Sequence, residues 1–443
     1  MQVTAQMPIT NGDDMIAMRT TRRSKRLFAT LAAASVVTLS ACAEQGGSGG
    51  SAGGDGIEPG ASKEDYIAAF EDVDPITIRT QSPAPKGSIT GKNVEDYLAS
   101  VEEWSGGKIT FDIAYANAVA EPAEIDDALN DGRLDLGQVL PIYEPSEYPA
   151  TVALIETGFL SKQSPVVGAL QSNAWPNEVA FNTPEIMQEW DDHGLVPLVP
   201  VYNSGAQGFF CSQPRTTKAE ISGQTVSATG SANSKQIEGL DGSPVSVAYT
   251  ELYESLERGV VGCASATLTV AVLGGFLPAV PYAVFDDEAS FSPGPGGMAF
   301  SKATWETLPL VAQQLFWDRL GVFVGENITG KIWPNTVEGV GAIIEAGGSF
   351  ATFDEEARES LRAANEDLLD QVSDSPALDD GDGFIERVQE AADEWLEIVS
   401  EELGYTDEVG YEDFSTWYSE DAVDIEPFLQ KLLDDTFAEH RPS

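Results

Sequence analysis

From residue 76 onward the apolar positions switch between a two-residue and a helical period. Ile76-Thr77-Ile78-Arg79 alternates as a strand. Val94, Tyr97, Leu98, Val101 and Trp104 then fall on one face of a helix over 88–104. Gly106-Gly107 closes that helix, and Ile109, Phe111 and Ile113 mark a second strand over 108–115. A helix over 121–130 and a short strand from Leu134 toward Pro141 follow. Leu195 to Tyr202 reads as a further strand, followed by Phe209-Phe210-Cys211. A second set comes next: strand 224–228, helix 231–240, Pro244-Val245, helix 247–258 and strand 260–264. Beyond Thr304 the pattern is mostly helical, over 314–329, 355–372 and 384–403. Two strand–helix sets joined by extended crossings predict an α/β body of two lobes with a cleft between them and a helical C-terminal region.

The amino terminus has a different pattern. Arg19, Arg22, Arg23, Lys25 and Arg26 precede an apolar run, Leu27 to Leu39. The run is too short for a membrane-spanning helix, which needs about 20 residues. Basic, apolar and small residues in that order make a secretory signal. Its end, Leu39-Ser40-Ala41-Cys42, resembles the bacterial lipobox, in which the cysteine is lipidated and becomes the first residue. The Gly/Ser-rich run 46–54 behind it is a flexible tether. The chain is thus expected outside the cytoplasm, anchored to the cell membrane through a lipid on Cys42.

Charge narrows the partners. The 443 residues carry 72 Asp+Glu against 24 Lys+Arg, a formal net charge of −48. Nucleic-acid binding is excluded as a general activity, because its affinity comes from cations on phosphates. A hydrophobic share of 42% with eight Trp supplies a real core and excludes wholesale disorder. Only His193 and His440 are present, which disfavours histidine-based catalysis and metal sites. No metal or cofactor is expected. Asp127, Asp131 and Asp135 are spaced across a helix end and do not converge on one ion. The run Asp379 to Ile385 lacks acidic residues at the first and last positions of a calcium loop, and reads as a turn capping the next helix. Outside the cytoplasm Cys211 and Cys263 read as a disulfide, the alternative being two small buried thiols.

Four stretches together resemble one family. They are Ser105 to Ile113 with Asn117 and Glu124 to Leu136; Ile221 to Ala228; Pro244 to Val261; and Trp305 to Pro309 with Gln313. In order and spacing they resemble the extracytoplasmic solute receptors of TRAP transporters. The resemblance implies a type II periplasmic-binding-protein-like fold that closes on a small organic solute and delivers it to TRAP permease subunits, without enzymatic turnover. The implied divisions are a lipoprotein-type signal 1–41; lipidated cysteine and linker 42–62; lobe 1, 63–196; lobe 2, 197–280; return segment and interlobe helix 281–345; and C-terminal helices 346–443. An ABC-type receptor, or a lipid-anchored enzyme or scaffold reusing the fold, is the alternative.

The chain departs from the family where solute is held. Relatives clamp a carboxylate with arginines, whose planar fork matches it. The matching positions here are Ser227 and Gln207. The residues expected at the solute are therefore Ser227, Gln207, Tyr202, Gln81, Tyr143 and Ser265, with Tyr249 a further aromatic wall. Neutral hydrogen-bonding groups where guanidinium groups would stand predict a solute that is not a simple carboxylate, because a buried carboxylate without a cation is costly. A cation relocated to Arg79 or Arg215 is the competing expectation.

Overall fold

The computed structural model describes residues 56–443. The expected signal, Cys42 and the Gly/Ser tether lie outside the described residues. Eleven strands form two sheets. The first holds β1 (Ile76–Ser82), β2 (Ile109–Tyr115), β3 (Leu136–Val139), β4 (Leu195–Tyr202) and β10 (Gly296–Ser301). The second holds β5 (Gln207–Cys211), β6 (Thr225–Ala228), β7 (Ser243–Ser246), β8 (Cys263–Thr267), β9 (Tyr282–Val284) and β11 (Ser349–Ala351). Their orders are β2-β1-β3-β10-β4 and β11-β9-β5-β8-β6-β7. The body is a two-lobed α/β fold, one sheet to each lobe.

The chain passes between sheets at residues 203–206 and 285–295. Because β4 runs on to Tyr202 within the first sheet, the expected lobe boundary at 196/197 falls inside a strand. A third connection is helical: Leu320–Glu326, a π-helical turn Asn327–Ile332 and Trp333–Glu345 run on continuously. The sequence pattern ends this helix at 329, since Gly330 and Pro334 suggest a stop. Pro334 instead stands just after the π-helical turn, and the helix runs on through a residue that has no N–H to donate.

Other differences have local causes. Four helices between 149 and 192 are not predicted by the pattern. In the first, Ala150 through Ile155 are all buried, so no polar face marks the helical period. The expected helix 247–258 shortens to Leu252–Glu257, and Ser246 ends β7. Gly259 does stop the helix in the left-handed region (φ 66°), but β8 begins only at Cys263. Asp380 caps the helix Gly381–Glu397, its Oδ1 accepting from the Gly383 N–H at 3.1 Å, as the turn reading predicts.

Alternation along β5 divides the second lobe's core. Phe209 and Cys211 pack with Val226, Ile237 and Leu361 on one side. Phe210 packs with Leu256, Phe276 and Val340 on the other. Cys211 and Cys263 face each other across the antiparallel β5–β8 pair and are joined as a disulfide, their Cα atoms 4.1 Å apart.

The helices from Gly381 onward pack mainly into the core of the first lobe, whereas Glu355–Ser373 lays Ala357 and Leu361 on the second. Phe384, Val388, Trp395, Phe428 and Phe437 share one apolar cluster with Tyr97, Trp175 and Phe316. Each such side chain contributes about 1.5–3 kcal/mol on burial. Polar contacts fix the register: Trp395 Nε1 donates to Glu178 Oε2 at 2.6 Å, Trp317 Nε1 to the Phe437 carbonyl at 3.0 Å, and Arg441 forks onto Asp318 at 2.7 and 3.0 Å. Among the described residues no helix is long and apolar enough to cross a membrane.

Candidate binding cleft

A cavity of about 100 Å³ lies between the two sheets and is walled by both. Open α/β sheets bind ligands beyond the carboxyl ends of their parallel strands, and most of the wall follows that rule, while the antiparallel β5 and β10 reach it with their amino ends. The first lobe supplies Gln81 from β1, Asn117 after β2, Gln138, Leu140 and Tyr143 from β3 and its exit, and Tyr202 at the end of β4. The second supplies Gln207 from β5, Thr229 after β6, Tyr249 after β7, and Ala266 and Thr267 from β8. Gly296 opens β10 opposite Tyr202. A Cβ there would stand 2.9 Å from both Leu140 Cδ2 and the Tyr202 hydroxyl, so only glycine leaves this part of the wall open.

Four of the six residues expected at the solute, Gln81, Tyr143, Tyr202 and Gln207, reach the cavity wall. Their polar groups are not equally free. Gln81 Oε1 accepts from the N–H groups of Val119 and Ala120 at 3.2 and 3.1 Å, while its Nε2 donates to the Ala120 carbonyl at 2.9 Å. Its amide therefore shapes the loop after β2. Gln207 Nε2 donates to Asn233 Oδ1 and Ser265 Oγ, both at 3.0 Å. Ser265 is absent from the wall; its hydroxyl donates to Asn233 Oδ1 at 2.9 Å and so braces Gln207. Ser227 also lies off the wall, 2% exposed in mid-β6 between Val245 and Ala264. The strand reaches the cleft two residues later, at Thr229.

Neither candidate arginine enters the cleft. Arg79 forks onto Asp135, with Nε at 2.8 Å and Nη2 at 2.6 Å, and Arg215 binds the Glu220 carbonyl on the surface. The cavity's cation is Lys331, on the π-helical turn of the interlobe helix. It is 4% exposed, and its ammonium sits 5.1 Å from the centre of the Tyr202 ring. Among the described residues no carboxylate pairs with it. Burial alone lowers its pKa from 10.5 to about 8. Burial likewise raises the Tyr143 phenol to about 12 and holds Tyr202 well above its ordinary value, so both rings stay protonated donors.

The turn that carries Lys331 is itself held by buried amides. Asn327 Nδ2 donates to Asn173 Oδ1 at 3.1 Å and to the Asn203 carbonyl at 2.7 Å. Asn335 Nδ2 donates to the Lys331 carbonyl at 2.8 Å, and its Oδ1 accepts from the Thr90 hydroxyl at 3.1 Å. Gln138, 7% exposed on the same wall, has an Nε2 with no acceptor among the described residues. A buried donor left open on the cavity that also holds an unpaired ammonium is an arrangement that an acceptor-rich group would complete. The sequence reading missed Lys331, Gln138 and Thr229. The signal for the first was present: a single lysine between Ile328 and Ile332-Trp333 in a strongly acidic chain.

The family model of the bacterial extracellular solute-binding proteins, family 7, matches residues 81–375. No curated protein matches the chain. Among solved structures, a marine metagenome TRAP solute-binding protein specific for aromatic acids, in complex with 3-hydroxybenzoate, has a TM-score of 0.63 at 17% identity, covering 73% of this chain and 99% of that one. A TRAP periplasmic solute-binding protein of Chromohalobacter salexigens with bound D-glucuronate gives 0.60 at 18% identity, covering 71% and 99%. A Bordetella pertussis extracytoplasmic solute receptor binding pyroglutamic acid gives 0.59 at 16% identity, covering 72% and 99%. At these identities the likeness is one of fold.

Proposed function

The chain belongs to the bacterial extracellular solute-binding proteins of family 7, and from that premise we propose that it captures a small, singly acidic organic solute and delivers it to a TRAP-type permease. One observation carries the reading of the solute. Lys331 is a buried cation on the cavity wall, without a protein counter-ion among the described residues. An unpaired buried charge is unfavourable, and an anionic group on the solute removes the penalty. Leu140, Ile142, Val270 and Leu273 together with three tyrosines give the wall a broad apolar and aromatic share, which suits an apolar or aromatic body. The expectation that the solute is not a simple carboxylate rested on the two missing arginines; in this reading Lys331 supplies a cation from a helix instead of a strand.

In this reading Gln138, Tyr143, Tyr202 and Gln207 contact the solute, Ser265 supports Gln207, and Ser227 is structural. The first lobe runs through β4 with β10 returning to it, the second holds the other sheet, and the helices from Gly381 onward close the first. Lipidation at Cys42 and the Gly/Ser tether keep the receptor at the outer face of the cell membrane, near its permease. The solutes bound by the similar structures, among them an aromatic acid and a uronic acid, make a starting panel.

Isothermal titration with such acids and their uncharged amides tests the reading. An acid of the right body should bind at least ~10-fold more tightly than its amide, in line with a charge-assisted hydrogen bond of about 1.5–3 kcal/mol. Lys331→Met should erase that difference. Equal affinity for an acid and its amide refutes the acidic-solute reading.

A further inference from the structure

Asn117 and Tyr249 stand on opposite lobes, and the Asn117 amide Nδ2 donates to the Tyr249 hydroxyl at 2.7 Å. Their place in the topology gives this contact its meaning. The two strand crossings join β4 and β10, adjacent at one edge of the first sheet, to β5 and β9 in the second, and the helical connection leads from β10 to β11, beside β9. Asn117 follows β2, the opposite edge of the first sheet; Tyr249 follows β7, the edge of the second sheet farthest from β5 and β9. The bond therefore joins the two ends that are free to separate.

The backbone at Asn117 is held in an unfavourable shape to reach it. Ala116 and Asn117 are successive non-glycine residues in the left-handed region, φ 55° and 53°. Such strain persists where surroundings over-determine it, commonly at clamps and switches. Here the Ala116 and Asn117 N–H groups donate to the Ala84 and Ser82 carbonyls, each at 3.3 Å, and Gln81 fixes the rest of the loop. On the other side, residues 247–251 form a turn, not the expected helix, and this lets Tyr249 extend over the cleft.

We infer that Asn117 and Tyr249 form a latch at the mouth of the cleft, holding the lobes together without a contribution from solute. They are positioning residues: the bond also fixes the Tyr249 ring as one wall of the cavity. Its role in retaining solute rests on the receptor reading, whereas the latch itself does not.

Hydrogen exchange on the full-length, solute-free protein separates the two. Asn117→Gly deletes the amide while tolerating the left-handed backbone, and Tyr249→Phe deletes only the hydroxyl. For a latch, each variant speeds exchange in the loop of the other lobe, over 246–253 for Asn117→Gly and over 113–120 for Tyr249→Phe. The expected increase is about fivefold, the value of one neutral hydrogen bond. The double variant should exceed neither single one, because both remove the same bond. Changes confined to the mutated loop, or effects that add in the double variant, overturn the latch. Such a result leaves the receptor reading untouched, while a failure to bind any acid leaves the exchange result readable.

Discussion

The Lys331 ammonium lies 5.1 Å from the centre of the Tyr202 ring, and this cation–π contact partly offsets the burial that draws its pKa down to about 8. The same lysine thereby sets both the pH response of binding and a cost to the empty fold.

Binding of an acid through Lys331 requires the ammonium form. The free receptor loses that proton as pH rises through about 8, so affinity should fall above it, approaching tenfold per pH unit. Titrations at pH 7 and pH 9, in buffers of different ionisation enthalpy, should show little proton uptake at the lower pH and nearly one proton at the higher. In Lys331→Met both effects should vanish.

The empty protein should gain stability when this charge is removed. The folded value of about 8 lies below the ordinary 10.5, so the charged form is penalised in the fold. The penalty is complete below pH 8, shrinks between 8 and 10.5, and is absent above. At pH 7 it is on the order of 3 kcal/mol. Thermal melts should place solute-free Lys331→Met above wild type at pH 7, with the gap narrowing toward pH 10.

Gly296→Ala should weaken solute binding at least ~10-fold with a smaller loss of stability. Its Cβ would press on Leu140 and the Tyr202 hydroxyl inside the wall. Overpacking of this kind costs about 1–3 kcal/mol. A crystal structure of the variant should show the Tyr202 ring displaced.

Glu144 follows Tyr143, and burial together with the nearby Asp126, Asp127 and Glu147 raises its pKa to about 7. A carboxyl raised above its ordinary value burdens the fold above about pH 7, progressively less toward 4.5, and not below. Glu144→Gln should therefore melt higher than wild type at pH 8 and level with it near pH 4.5.

The Cys211–Cys263 bridge closes a loop of sequence separation 52. Replacing both with alanine should cost up to ~4 kcal/mol in chemical denaturation. Because the pair packs with Phe209 and Val226 behind the wall, solute affinity should change less than threefold.

The first lobe's strands were legible because β1 and β2 have the alternating pattern of half-covered strands. The buried helices between 149 and 192 were not, because a helix wrapped in apolar neighbours has no polar face to betray its period. Within the site, Gln81, Tyr143 and Tyr202 stand where the rule that strand ends face the cleft puts them, while Gln207 was found through the family position it occupies. Ser227 and Ser265 lie within their strands, and the rule does not bring them there. For Lys331 the sequence offers only the hint of a lone lysine among apolar neighbours: a π turn shifts the helix's phase, and the packing of Asn173, Asn203 and Asn327 around that turn is not written in the local pattern.

The match to relatives stops at residue 375, yet Phe384, Trp395 and Phe428 lie in the same apolar cluster as Tyr97 and Phe316. A version trimmed to the common length would not be a minimal receptor. It would bare an oily flank on one lobe, and the resulting clumping would masquerade as loss of ligand recognition. Any recombinant boundary should run to Ser443.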